Sequence, residues 1–270
     1  MAMSDTRRHR LLLVNDDGIH APGIALLEQV ARSISDDVWV IAPDEERSGA
    51  SHSLSMTNPV RIRKLDDRHF AIKGTPTDAV LLAIRHIMEA PPTALLSGIN
   101  RGENLAEDLT YSGTAAGAIE GALLGVPAIA LSQVLADAKA KARWGTAEHF
   151  AGPVLRALLD SEAWESGLFV NVNFPDRDPA DATGVRITRQ GRRPPGSFQP
   201  QRRIDERGVP YFWHRIAYTD GGLDPGTDLE AVRAGAVSVT PMKLDFTAYD
   251  VLDRFGPTAG AIADALAQHG

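Results

Sequence analysis

The sequence predicts an α/β fold in which a mostly parallel sheet is covered by helices on both faces, and three observations carry that prediction. Short apolar runs recur along the chain, as strands buried on both sides require. Between them lie longer stretches with apolar residues three and four apart, the period of crossover helices. At 270 residues, 43% hydrophobic and 23% charged, the chain has the size and composition of a globular protein with a substantial core.

The first half reads βαβα. Leu11-Leu12-Leu13-Val14 is a buried strand, and a helix opens at Pro22, whose fixed φ suits a first helical turn. Ile24, Leu26, Leu27 and Val30 form its inner face, and Val38-Trp39-Val40-Ile41 is the second strand. A helix over residues 77–88, a strand at Ala94-Leu95-Leu96, an Ala/Gly-rich helix over 114–124 and a strand over 128–131 follow. Past Val185 the texture changes. Residues 189–207 are rich in Arg, Pro, Gln and Gly and carry neither period, while Val185-Arg186-Ile187-Thr188 and residues 211–216 on either side have strand character. A long projecting hairpin flanked by those two segments is expected. Residues 236–240 return to core-strand composition, and an Ala-rich helix over 257–268 ends the chain.

Charge and cysteine count narrow the chemistry. With 28 Lys and Arg against 35 Asp and Glu, the formal net charge of −7 excludes a generally basic nucleic-acid coat. There is no cysteine, so disulfides, thiolate zinc sites and a catalytic thiol are impossible, and any metal must be held by oxygen or histidine. No run is apolar over the roughly 18 residues of a membrane helix. Leu11 to Val14 is too short for a signal-peptide core, which makes the cytoplasm the expected location.

Four segments that follow strands or open a helix carry reactive groups. Asn15-Asp16-Asp17-Gly18 sets two adjacent carboxylates after the first strand, where ligands bind in open α/β sheets. A hard cation such as Mg²⁺ or Mn²⁺ resolves their repulsion. An Asp-Asp-Gly turn with a helix cap accounts for the same residues without a metal. Residues 42–53 follow the second strand and bring Arg47, Ser48 and His52. Ser97-Gly98-Ile99-Asn100-Arg101-Gly102-Glu103-Asn104 follows the next, with spaced glycines that allow close backbone approach. Tyr111-Ser112-Gly113-Thr114 leads into a small-sided helix whose first turn suits a phosphate, although an ordinary Ser/Thr cap has the same residues. Together the four segments describe a metal and phosphate pocket at one sheet edge.

Taken in order, these segments resemble the SurE family, the stationary-phase survival proteins that act as metal-dependent 5′-nucleotidases. The resemblance runs from Leu11 to about Asp250 and includes Ala42-Pro43-Asp44, Gly74-Thr75-Pro76-Thr77-Asp78, Asn171-Val172-Asn173-Phe174-Pro175 and Ser238-Val239-Thr240-Pro241. It implies a Rossmann-like three-layer αβα core, a projecting β-hairpin and a C-terminal exchange region. By this likeness residues 1–185 are the catalytic core, 186–235 the hairpin and oligomerisation region, and 236–270 the returning strand and C-terminal helix. The expected metal ligands are Asp16, Asp17, Ser48 and Asn100, holding one Mg²⁺ or Mn²⁺ per subunit. Asn104, Ser112, Gly113 and Thr114 are the expected phosphate contacts. The implied substrates are nucleoside 5′-monophosphates, with 3′-monophosphates and short polyphosphate as further ones, and the implied assembly is a homodimer or homotetramer.

Within that frame Asp16 and Asp17 serve catalysis by direct attack of water, and His52, nearer Ser48 than His20 is, is the candidate proton donor to the leaving alkoxide. Arg47 and Arg101 are candidate phosphate clamps. A covalent aspartyl-phosphate route is disfavoured, because phosphatases that use it carry Asp-x-Asp whereas Asp16 and Asp17 are adjacent. A dinucleotide oxidoreductase is disfavoured too, since no Gly-x-Gly-x-x-Gly follows the first strand. A non-catalytic nucleotide-binding regulatory protein is the remaining alternative.

Overall fold

The computed structural model describes residues 9–47, 49–137, 140–194, 196–216 and 223–267. Leu11 to Val14 are fully buried, and their alternation sends Leu11 and Leu13 to one core and Leu12 and Val14 to another. They form β1 (Arg10–Val14), flanked in parallel by β2 (Asp37–Pro43) and, on its other side, by β5 (Ala94–Arg101). The intervening β3 (Arg61–Lys64) and β4 (His69–Lys73) add outside β2. β6 (Ala128–Gln133) and β7 (Leu168–Phe174) extend the parallel run beyond β5. With β8 (Val185–Ile187) and β11 (Val237–Lys243) they make a nine-stranded sheet of order β3-β4-β2-β1-β5-β6-β7-β11-β8, in which β3 and β11 run antiparallel to β4 and β7.

Helices cover both faces, as expected. α1 (Pro22–Arg32) and α4 (Gly145–Leu159) pack Ile24, Leu27, Ala151 and Leu155 against the Leu11/Leu13 face. α2 (Pro76–Leu82) and α3 (Gly113–Leu123) pack Val80, Ala115 and Ala118 against the Leu12/Val14 face. The small residues of α3 have a packing reason: a Cβ on Gly117 would lie 2.7 Å from Ser97 Oγ, and one on Gly121 2.9 Å from Leu95 Cδ1, so only glycine lets α3 sit this close to β5. The Gly74–Asp78 motif is explained by a capping box: Thr75 Oγ1 accepts from the Asp78 amide at 3.1 Å and Asp78 Oδ2 accepts from the Thr75 amide at 2.9 Å. The helix expected over 77–88 ends at Leu82 and continues as a single π turn, Ala83–Ile87.

The hairpin is placed differently from the expectation. It is formed by β9 (Phe198–Ile204) and β10 (Pro210–Ile216), a separate antiparallel pair, so its first strand lies inside the stretch read as without period. Val185–Ile187, expected as its flank, joins the main sheet in parallel with β11, and α5 (Asp228–Arg233) packs back on β11 and β7. Both ends of the 186–235 segment therefore belong to the body of the fold. The last helix, α6 (Gly256–Ala267), follows a short turn at Tyr249–Phe255.

Strand order reverses at one place that matters. From β1 the chain winds outward through β2 and then returns across β1 to β5, which makes the β1/β5 boundary the topological switch point. In such sheets the crevice outside the strands' carboxyl ends at that boundary receives ligands.

Candidate active site

The two acids leave β1 into that crevice. Asp16 is 5% exposed, and the Thr114 hydroxyl donates to its Oδ1 at 2.5 Å. Gly113 lies so close that a Cβ there would stand 2.7 Å from the Cβ of Asp16. The Arg101 amide, just past the end of the β5 core, donates to Asp17 Oδ2 at 3.0 Å. The loop after β2 closes the other side, with the Arg47 amide donating to the Asp16 carbonyl at 2.7 Å. Three of the four segments singled out in the sequence thus touch the fourth directly. Ser48 lies outside the described residues.

Local backbone chemistry aims these groups. β5 pairs in register with β6 up to Ser97 and resumes at Asn100, so a bulge separates the two. Gly98 sits in it with φ +137°, and a side chain there would meet the Leu131 carbonyl oxygen at 2.3 Å. The bulge brings Asn100 to the strand's carboxyl end beside Asp17, where its Nδ2 donates to the Gly102 carbonyl at 2.9 Å. On α3, Ser112 caps the helix by accepting from the Ala115 amide at 2.9 Å, and Ser97 Oγ donates to the Thr114 carbonyl at 2.6 Å.

Electrostatics mark the same place. Burial, reinforced by the charges of Asp17 and Glu46, pushes Asp16 up to about 6 against the opposing pull of the Thr114 hydroxyl. Burial likewise raises Asp17, with Glu46 adding and Arg101 opposing. No hydrogen bond among the described residues engages Asp16 Oδ2, Asp17 Oδ1 or Asn100 Oδ1. Three such oxygens on the residues of a desolvated, doubly acidic crevice fit a hard divalent cation. Among the described residues no group of three or more His, Asp or Glu is arranged to hold a metal, so a cation here takes a mixed carboxylate and amide oxygen set. Beside Asp17 opens a cavity of about 660 Å³, lined by Gly18, His20, Glu45, Glu46, Arg101 and Trp144 among others.

Two expected site residues do not join this group. Asn104 is buried and donates from Nδ2 to Ser132 Oγ at 2.8 Å, while its carbonyl accepts from Asn171 and Asn173. Its polar groups tie the loop to the sheet. His52 pairs its Nε2 with Glu120 Oε2 at 2.9 Å, six residues or about 9 Å along α3 from Thr114. His20 is exposed on the cavity rim, and the Arg101 guanidinium is turned to the Ala140 carbonyl at 2.6 Å. Glu120 was missed by sequence reasoning, yet it is the one charged residue in Gly113–Leu123, and a lone acid on a small, apolar helix signals a buried partner.

Comparison with known proteins decides the family. The model described as "Survival protein SurE" matches residues 11–196, well over half of the chain. The chain belongs to the SurE family. A protein of Parvibaculum lavamentivorans named 5′-nucleotidase SurE is 46% identical over 98% of this chain and 94% of its own length. One of Chelativorans sp. with the same name is 50% identical over 91% of this chain and 97% of its own. Among solved structures, the SurE protein from Aquifex aeolicus superposes with a TM-score of 0.80 at 38% identity, covering 92% of this chain and 99% of that one. That structure covers a larger share of the chain than the matched family segment does. No helix among the described residues is long and apolar enough to cross a membrane.

Proposed function

We propose that this chain is a metal-dependent 5′-nucleotidase that hydrolyses nucleoside 5′-monophosphates to nucleoside and phosphate; its relatives carry the name 5′-nucleotidase SurE. The observation that carries the reading is the meeting of Asp16, Asp17 and Asn100 with the Ser112–Thr114 turn at the β1/β5 switch point. Asp16, Asp17 and Asn100 hold the cation, with Ser48 as the fourth ligand by family likeness. Mg²⁺ or Mn²⁺, one per subunit, suits that oxygen set. When bound, such an ion neutralises charge on the phosphoryl oxygens and makes a water more acidic.

The chain's own groups do the rest. Ser112 caps α3 and thereby fixes the first turn, whose Gly113 and Thr114 amides no hydrogen bond among the described residues engages. Those amides and the helix dipole favour a phosphate dianion at that position. Gly113 lets the phosphate turn approach Asp16 closely, and the Thr114 hydroxyl holds the carboxylate on Oδ1, with Oδ2 beside Gly113. The cavity beside Asp17 has room for a nucleoside. Its carboxylates, Asp44, Glu45 and Glu46, suit hydroxyl and amino donors. Nucleoside 3′-monophosphates and short polyphosphate are further substrates by family likeness.

Tyr211, Phe212 and Trp213 on β10 and Phe255, Ile262 and Leu266 near the C-terminus are all about half exposed or more. Apolar surface of that extent supports association of copies into a homodimer or homotetramer. We place the enzyme in the cytoplasm. Phosphate release from a panel of nucleoside monophosphates, crossed with Mg²⁺, Mn²⁺ and a chelator, tests the proposal. Metal-dependent release from 5′-monophosphates is expected. Nucleotide binding without turnover under every ion would replace the proposal with a regulatory protein.

A further inference from the structure

Among the described residues only two that are not glycine have positive φ, Ser51 and Ala106. Ala106, at +50°, is fully buried and opens the short 3₁₀ turn Ala106–Tyr111 that delivers Ser112 to the head of α3. A residue with a Cβ occupies the left-handed region at a cost, and it persists there only when its surroundings over-determine it.

Both backbone polar groups of Ala106 are held from far away in the chain. Its amide donates to Asp228 Oδ2 at 2.9 Å, across 122 residues. Its carbonyl accepts from Gln190 Nε2 at 2.8 Å, across 84. Asp228 is 1% exposed, and its Oδ1 accepts from the Gly191 amide and the Leu229 amide, both at 2.8 Å. Arg193 extends the same clamp. Its guanidinium forks onto both oxygens of Asp108, and its amide donates to Glu107 Oε2 at 2.9 Å. Asp228 itself is seated on α5, which packs on β11 and β7.

We infer that Asp228 is a positioning residue for the phosphate turn. With Gln190, it holds Ala106 in its strained conformation and so sets where Ser112, Gly113 and Thr114 stand relative to Asp16. The inference rests on the reading of Ser112–Thr114 as the phosphate contact. Release of the clamp lets Ala106 relax to negative φ and displaces the turn, and displacements of an ångström are costly to catalysis. Asp17 is anchored apart from the turn by the Arg101 amide, and Asp16, which shares the Thr114 hydroxyl with the turn, keeps its backbone place through the Arg47 amide, so metal binding changes less than phosphate binding.

The test uses the full-length protein with Mn²⁺ bound. Asp228→Asn sets an NH₂ group against one of the amides the carboxylate now serves, and Gln190→Ala removes a single bond from an exposed side chain. The KM for adenosine monophosphate and the inhibition constant of inorganic phosphate are expected to rise on the order of tenfold in Asp228→Asn, and by less in Gln190→Ala. Mn²⁺ affinity by calorimetry is expected to stay within about twofold. Ala106→Gly, which makes positive φ easy, is expected to leave both constants near wild type alone and to recover most of the loss when combined with either variant. Unchanged phosphate constants in folded variants, an equal loss of Mn²⁺ affinity, or no recovery in the double variants each overturn the inference. If Asp228→Asn does not fold, Gln190→Ala and its double variant decide. Wild-type protein that releases no phosphate from any nucleoside monophosphate overturns the nucleotidase reading and this inference with it; active wild type with unaffected variants overturns this inference alone.

Discussion

The β1/β5 lip and the β9/β10 hairpin break the ordinary rule of burial in opposite directions. At the lip, carboxylates that belong in water are buried, and Asp16 is pushed up to about 6 by that burial. On the hairpin, side chains that belong in a core stand in solvent, with Trp213 at 59% exposure and packed edge-to-face against Tyr211. Each region is costly for the isolated chain, and the chemistry of the cost tells what relieves it: a cation in one case, apolar surface in the other.

The largest expected effect breaks the lip. Asp16→Asn keeps the acceptor for Thr114 but removes the charge, and phosphate release is expected to fall on the order of 10³-fold. The same substitution is expected to stabilise the metal-free protein. Asp16 rises from 3.8 to about 6 on folding, so between those values the folded chain binds more protons than the unfolded one, and stability falls as pH rises through the window. Above it the full cost, about 3 kcal/mol, is present, and Asn avoids it. Thermal melts in chelator from pH 4 to 8 check this. A wild-type melting curve indifferent to pH over that range, or one matched by Asp16→Asn, would refute the assignment of stored electrostatic cost to this carboxylate.

Next in size is Gly113→Ala. The new methyl would stand 2.7 Å from Asp16 Cβ and 2.8 Å from its Oδ2, and neither the strand nor the capped helix can give way cheaply. A loss of about 1–3 kcal/mol in stability is expected, together with a roughly 100-fold fall in turnover as the phosphate turn backs away from the acids. Denaturant melts and phosphate release measured on the same preparation would expose an error if either stayed at the wild-type value.

What could be read from the sequence follows the same division between local and distant contacts. The Leu11–Val14 run, the acids after it and the Ser112 cap are local patterns, so strand, turn and helix head were legible. The bulge at Gly98 was not, because only the pairing of β5 with β6 reveals that two residues there oppose one. Asn104 reads as a loop amide near the site, yet Asn171, Asn173 and Ser132, all distant in sequence, claim its polar groups. β3 was missed because Arg61-Ile62-Arg63-Lys64 is exposed throughout and shows no buried face. β9 was missed for a related reason, since a two-stranded ribbon off the sheet has no core to impose apolar alternation.

The hairpin side of the comparison predicts a change in assembly with little change in chemistry. Tyr211→Ser combined with Trp213→Ser removes one aromatic face of β10. Sedimentation velocity is expected to show smaller assemblies than wild type, while Mn²⁺ affinity per subunit stays within about twofold, because no residue placed at the lip comes from β9 or β10. Identical sedimentation of variant and wild type would remove the hairpin from the interface. A parallel loss of Mn²⁺ affinity would instead tie the two regions together and undo the contrast drawn between them.

The smallest effect is expected at His52, and it sharpens the boundary of the site. The ring is one-third exposed and paired with Glu120, a contact of the kind worth about 1 kcal/mol or less. It ties residues 51–55 to α3, while the Ser51 hydroxyl donates to the Thr110 carbonyl in the turn before α3 and Ser55 donates to Asp78 on α2. Those neighbouring bonds remain when His52 is replaced. His52→Asn is therefore expected to lower stability by about 1 kcal/mol at most and turnover by no more than about threefold, whereas removal of a proton donor to the leaving group costs on the order of 100-fold or more. Rates for nucleoside monophosphate and for p-nitrophenyl phosphate separate the two roles. The first leaving alkoxide needs a proton and the second, a stable phenolate, does not. A loss confined to the nucleotide would return His52 to the chemistry and would mean that the loop swings away from Glu120 when substrate binds.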